Sequence, residues 1–286
     1  NADSPVLGFT GPGGAGKSTL IDEFVRRYLE DFPDDCVAIL SVDPSRASSG
    51  GALLADRIRM NSLYGRHAER TYMRSFAARG SHASLTAALN RGVDLCQTWG
   101  FDLIVVETAG IGQSDTTIVE VADLSIYVMT QEYGAPTQLE KIGMLELADF
   151  VVLNKFEKQG SRDALRHIQK QVRRNRKVFD TSAKEMPVYP AMASRFNDPG
   201  VSNVYLAVLN RLESGRSYDS STRGRKPPVF DEEEAGPLPR RRENYLREIV
   251  ETCEDYRTFV EEEVSRARRW ENVRGAAEVL EENDVE

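Results

Sequence analysis

The sequence predicts an α/β domain with a mostly parallel sheet sandwiched by helices, followed by a linker and a long helical segment. Three observations predict it. Short runs dense in Val, Ile and Leu alternate with amphipathic stretches of helical period. A glycine-rich octapeptide sits between the first such run and the first helical stretch. After about residue 214 the composition turns abruptly to Ser, Gly, Pro and clustered charge. The division expected from these is a nucleotide-binding domain over 1–214, a flexible linker over 215–242 and a helical extension over 243–286 that serves docking or dimerisation.

The chain has 286 residues, enough for one α/β domain with a full core and an appendage. Its formal net charge of −8 disfavours a nucleic-acid partner, because there is no surplus basic surface to neutralise a phosphate backbone. The three cysteines, Cys36, Cys96 and Cys253, are far apart and odd in number, which argues against a disulfide framework and for a cytoplasmic, reducing setting. No apolar run approaches the roughly 18 residues of a membrane span. The chain opens at Asn1, without Met and close before its first strand, so it reads as a segment of a longer polypeptide or a trimmed one.

Residues 6–9, 37–42, 103–106, 124–130, 150–153 and 188–192 read as strands. Near-continuous Val/Ile/Leu runs of this kind belong to parallel strands covered on both faces, and ligands gather beyond their carboxyl ends. After the first run comes Gly11-Pro12-Gly13-Gly14-Ala15-Gly16-Lys17-Ser18, then Thr19 and an amphipathic helix carrying Leu20, Phe24, Val25 and Tyr28. Glycines let backbone N–H groups turn inward around an anion, and the helix aims its positive end at the same point. Lys17 adds a charge, and the Ser18 hydroxyl suits Mg²⁺. This is the phosphate loop of a P-loop NTPase, with 13–19 as its binding residues.

The second strand ends at Asp43, beside that loop and within reach of Mg²⁺ directly or through water. Beyond it, small residues lead to Asp56, a second metal candidate, and to Arg57 and Arg59, which either offset developing phosphate charge or cover a helix surface. The run 103–106 delivers Glu107-Thr108-Ala109-Gly110. An acid here holds the metal's water shell or orients the attacking water, and Gly110 offers its N–H to the γ-phosphate, so Glu107 is the leading catalytic candidate beside Lys17. Gln113 is a water-positioning or switch residue, or else an ordinary polar loop side chain.

The strand at 150–153 ends in Asn154-Lys155-Phe156-Glu157, close to the Asn-Lys-x-Asp pattern that reads guanine: Asn at the base edge, Lys along the ring, the acid on the ring N–H and amino donors. Glu157 stands where Asp is usual. Two segments compete to cap the base. Thr181-Ser182-Ala183-Lys184 has the composition, but no helix follows; 188–192 has strand, small residues and then a helix from about 201, so the capping backbone is assigned to Ala193 and Ser194.

These motifs together, with Gly50-Gly51, the run 52–60, Arg74-Ser75, Arg79-Gly80, the stretch 110–114 and 146–149 ahead of Asn154, resemble the cobalamin-mutase chaperone GTPases, the MeaB, ArgK and MMAA family. Glu157 and the run 133–141 look closer to the G-domains of fused isobutyryl-CoA mutases. The resemblance covers residues 8 to about 212. It implies that Mg²⁺ and GTP or GDP bind at Lys17, Ser18, Asp43, Asp56 and Glu107. It further implies that hydrolysis gates the loading, removal and protection of adenosylcobalamin held by a partner mutase and its cobalamin-binding domain. A third mobile segment, about 131–143, would signal to that partner, with Lys141 a candidate contact. The cobalamin string Asp-x-His-x-x-Gly does not occur, so the corrin is expected only through the partner.

The tail from 244 to 282 reads as one long helix or a helical pair, with Tyr245, Ile249, Cys253, Tyr256, Val260, Val264, Ala267, Trp270 and Val273 in a narrow apolar seam. It packs on its own domain, or on a second copy or the mutase module; a homo-oligomer is expected. Three other functions stay in view. A metallocentre-assembly GTPase is weakened by having only His67, His82 and His167 and no paired Cys. The others are an ATP-dependent enzyme, weakened by Asn154-Lys155, and a nucleotide-stabilised interaction module without turnover.

Overall fold

A computed structural model describes residues 4–43, 60–77, 82–108, 117–213 and 245–283. Two compact units divide the chain, Asn1–Phe230 and Asp231–Glu286.

The first unit is built on β1 (Val6–Thr10), β2 (Val37–Asp43), β3 (Thr71–Ala77), β4 (Leu103–Glu107), β5 (Leu124–Met129), β6 (Phe150–Leu153) and β7 (Val188–Pro190). Every pairing is parallel and the order is β3-β2-β4-β1-β5-β6-β7, with β1 central. The helices are α1 (Lys17–Asp31), α2 (His82–Thr98), α3 (Thr117–Val121), α4 (Pro136–Leu139), α5 (Met144–Leu147), α6 (Ser161–Asn175) and α7 (Pro199–Glu213). Alternate strand residues feed two cores, as a two-residue period requires. Leu7, Phe9, Val105 and Val152 pack with α1 and α7 residues such as Phe24, Tyr28 and Tyr205. Val6, Ile104, Val106 and Val151 pack with Ile118 of α3 and Ile168 of α6 on the other face.

Close approach sets some residue choices. A Cβ at Gly8 would come within 2.4 Å of Ile118, so α3 lies against β1 only because Gly8 has no side chain. Arg70 fastens the carboxyl end of α1: its guanidinium donates to Leu29 O in the last turn and to Phe32 O just past it at 3.0 Å, and to Asp35 O beyond at 3.1 Å.

The sheet has seven strands where the sequence reading expects six. β3 escapes that reading because Thr71–Ala77 carries Arg74 and Ser75 mid-run: it is an edge strand, paired only to β2, and Arg74 turns to solvent. β7 is shorter than expected, closing at Pro190, and α7 begins earlier, at Pro199. In the second unit, the alternative of one helix or two resolves to one, α8 (Tyr245–Asn283), 39 residues long. Tyr256, Phe259, Val264, Trp270 and Val273 lie exposed on it. The span 215–242 lies outside the described residues. Among the described residues, no helix is long and apolar enough to cross a membrane.

Candidate nucleotide site

The loop after β1 is shaped by three glycines at positive φ: Gly11 (+142°), Gly14 (+76°) and Gly16 (+88°). A Cβ at Gly11 would meet the Val128 carbonyl at 1.9 Å, which fixes where the loop leaves the sheet. At Gly13 and Gly14 the opposite holds: nothing lies within 4 Å of an added Cβ, so the loop bows around open space. Ala15 N donates to Pro12 O and Leu20 N to Gly16 O, closing the turn into α1. That cradle, at the N-terminus of a 15-residue helix, suits an anion.

Lys17, only 8% exposed, folds back over the loop, its Nζ donating to Gly11 O at 3.0 Å and Pro12 O at 3.4 Å. Ser18 Oγ donates to Glu107 Oε1 at 2.9 Å. Glu107 closes β4 and is 4% exposed; register sets it beside Phe9 of β1 and Ser41 of β2. A hydroxyl and a carboxylate oxygen side by side, next to an anion cradle, form a donor set of the type a hard cation such as Mg²⁺ takes. Thr19 is exposed on α1. Asp43 ends β2, two residues past Ser41, the partner of Glu107. Asp56, Arg57, Arg59, Gly110 and Gln113 lie outside the described residues.

The other end of the site is assembled from distant segments. Asn154, 2% exposed, follows β6; its Nδ2 donates to Ala15 O at 2.8 Å and its Oδ1 accepts from Ala193 N at 3.0 Å. A Cβ at Gly16 would press on that amide at 2.4 Å, so Gly16 serves the turn and Asn154 together. Asn154 therefore acts from inside, tying the phosphate loop to the 191–198 loop. Lys155, at φ +56°, is half-buried, and Glu157 and Ser194 are exposed on the rim; Ala193 is buried. Ser182 is engaged elsewhere, its Oγ accepting from Lys184 N to cap the short turn Ala183–Glu185.

Sequence reasoning missed Asp198. It is buried, and its Oδ2 accepts from Met192 N at 3.0 Å and Val201 N at 2.9 Å, so one carboxylate holds the base-side loop and caps α7. Burial pushes its pKa up, and the two N–H groups pull against that. The Asp198-Pro199 pair, a helix cap followed by Pro at the first helical position, was the available signal. Among the described residues no three His, Cys, Asp or Glu side chains cluster as a metal centre would need.

A parallel sheet with a glycine cradle at the carboxyl end of its central strand, a lysine folded over it and a Ser–Glu oxygen pair beside it defines a P-loop nucleotide-binding protein. Residues 2–226 match the model of the family described as methylmalonyl Co-A mutase-associated GTPase MeaB, and the chain belongs to that family. It is 48% identical over 280 residues to a fused isobutyryl-CoA mutase of Geobacillus kaustophilus, covering 97% of this chain and 25% of that protein. It is 36% identical over 151 residues to the mitochondrial methylmalonic aciduria type A homolog of Mus musculus, covering 53% of this chain and 35% of that one. The chain thus spans about a quarter of the length of the fused mutase it matches. Among solved structures, an LAO/AO transport system kinase aligns with a TM-score of 0.51 at 23% identity, over 74% of this chain and 60% of that one, which is a likeness of fold.

Proposed function

We propose that the chain binds GTP with Mg²⁺ at the cradle of residues 13–19 and hydrolyses it. The nucleotide state then gates the loading, removal and protection of adenosylcobalamin in an acyl-CoA mutase module, of isobutyryl-CoA or methylmalonyl-CoA type, in the same polypeptide or a partner. One observation carries the reading: Ser18 and Glu107 oxygens meet at 2.9 Å beside the open cradle at Gly13 and Gly14. The names of the relatives support the mutase as partner.

Mg²⁺ held there would neutralise phosphate charge and order water. Ser18 and Glu107 would hold it, with Asp43 and Asp56 proposed for the same shell. Lys17 exchanges two loop carbonyls for phosphate oxygens, so the charge is already within a side chain's swing of its target. Glu107, buried at the end of a central strand, orients the attacking water or holds the metal's shell. Asn154 keeps the phosphate and base loops in register, while Lys155, Glu157, Ala193 and Ser194 read or cap the guanine. GTP and GDP must favour different loop arrangements for the partner to sense them, since only differential affinity shifts an equilibrium. The exposed apolar residues of α8 support a docking or dimerisation role for the extension beyond the linker.

Calorimetry with GTP and GDP, with Mg²⁺ and with chelator, tests the binding; single-turnover hydrolysis by wild type and Glu107→Gln tests the chemistry. Transfer of adenosylcobalamin to the mutase module, followed by absorbance with GTP and with GDP, tests the gating. Absence of heat with either nucleotide overturns the site. Transfer indifferent to nucleotide overturns the chaperone role.

A further inference from the structure

The segment after β5 carries a carboxylate that none of the phosphate-loop or base motifs uses. Glu132 lies in the short turn Gln131–Tyr133. Its Oε2 accepts from the hydroxyl of buried Thr130, and its Oε1 accepts from Lys158 Nζ at 2.7 Å and, at 3.4 Å, from Gln131 Nε2. The Lys158 hydrogen bond first, then that of Thr130, with the charges of Lys158 and Lys155 adding to them, hold this carboxyl below its usual range. Glu132 thus pairs with Lys158 of the loop that follows β6.

That loop is a tight unit. Lys155 adopts a left-handed backbone, Lys158 N donates to Lys155 O at 3.1 Å, Ser161 N to Lys158 O at 3.2 Å, and Phe156 N to Ala191 O at 3.1 Å. A force on the Lys158 side chain therefore acts on the turn that presents Lys155 and Glu157. The rest of 131–142 is fastened to α6, the helix growing out of the same loop. A Cβ at Gly134 would come within 2.5 Å of Ala164 Cβ, Leu139 and Ile142 are buried, and Glu140 pairs with Arg174 at 3.6 Å.

We propose that Glu132 is a positioning residue for the guanine-reading loop 154–158, and that through it the base end of the site is tied to the segment 131–142. The proposal rests on the guanine reading above. The Glu132–Lys158 pair is 53% and 42% exposed, too wet to contribute much to stability, so orientation of the lysine-bearing turn is the use left for it. It also gives 131–142 a route to nucleotide occupancy that does not pass through the γ-phosphate: a bound base orders 154–158, and the ion pair hands that order across.

The test uses the full chain with Mg²⁺ and compares wild type, Glu132→Gln, Lys158→Met and the double variant. Affinities for GDP and for IDP, which lacks the exocyclic amino group, are measured by calorimetry alongside melting temperature. Glu132→Gln should weaken GDP roughly three- to tenfold and IDP less, narrowing the GDP/IDP ratio with the melting temperature unchanged. The double variant should be no worse than either single one. Hydrogen exchange should show GDP protecting 131–142 in wild type and failing to do so in Glu132→Gln, while 11–18 stays protected in both. A wild-type GDP/IDP ratio in the variant, additive losses in the double, or unaltered protection of 131–142 overturns the proposal. If wild type binds neither nucleotide, the guanine reading falls first; if it binds guanine nucleotides and the variant keeps the ratio, Glu132 alone falls.

Discussion

The phosphate end of the proposed site comes mostly from one stretch, 11–18, which Glu107 meets from β4, whereas the base end joins three stretches that the buried Asn154 amide ties together. A consecutive loop can place its groups by local backbone geometry, so it needs glycines; a composite wall needs buried polar cross-links, so it needs Asn154 and Asp198. The difference teaches that substitutions at the two ends should fail differently: function without loss of fold at the first, fold and function together at the second.

The sharpest break is Lys17→Ala, which should weaken GTP binding by about a thousandfold while the melting temperature changes little, because the ammonium's hydrogen bonds at 3.0 and 3.4 Å reach loop carbonyls rather than the core; calorimetry and thermal melts together check it. Glu107→Gln should lower single-turnover hydrolysis by about a hundredfold and leave GDP affinity within a few fold. At the base end, Asn154→Ala orphans Ala15 O and Ala193 N, so denaturant unfolding should show a loss of about 2 kcal/mol, accompanied by weaker GDP binding. A loss of GDP affinity without loss of stability would erase the contrast.

Asp198→Ala should cost about 1–2 kcal/mol through two unpaired N–H groups and a lost helix cap. Its pH dependence has a definite sign. Burial raises the native pKa above the ordinary carboxylate value, so native protein binds the proton more tightly than unfolded chain. The Asp198 contribution therefore improves as pH falls through the raised value, and the burial cost is fully present above it. Unfolding of wild type against Asp198→Asn across that range should diverge accordingly. The smallest effect is Glu157→Asp, which shortens an exposed side chain by one methylene and should shift the GDP/ADP ratio by only a few fold, measured by competition.

What was legible in the sequence follows the same division. The phosphate loop could be read because its proposed function is written in consecutive residues, and β1, β4, β5 and β6 because both their faces are covered and, Glu107 at the end of β4 aside, their residues are apolar, aromatic or small. β3 could not, since an edge strand tolerates Arg74. Asn154 belongs to a local motif, but its work as a cross-link joins residues 139 and 39 apart, a relation no local pattern encodes. Glu132 sits in an unremarkable Gln-Glu-Tyr turn, and only the fold brings it to Lys158.

The all-parallel sheet has a consequence for how this unit can be wired into something larger. Ser4 precedes β1 at the amino edge, and α7, running back from β7, brings Arg211 of its last turn to the cavity lined by Phe150, the first residue of β6, so the described span of the unit begins and ends near that edge. The ends of that described span and the phosphate loop thus lie on opposite rims of the sheet. A module joined beyond either end of that span would leave uncrowded the rim where GTP is proposed to turn over.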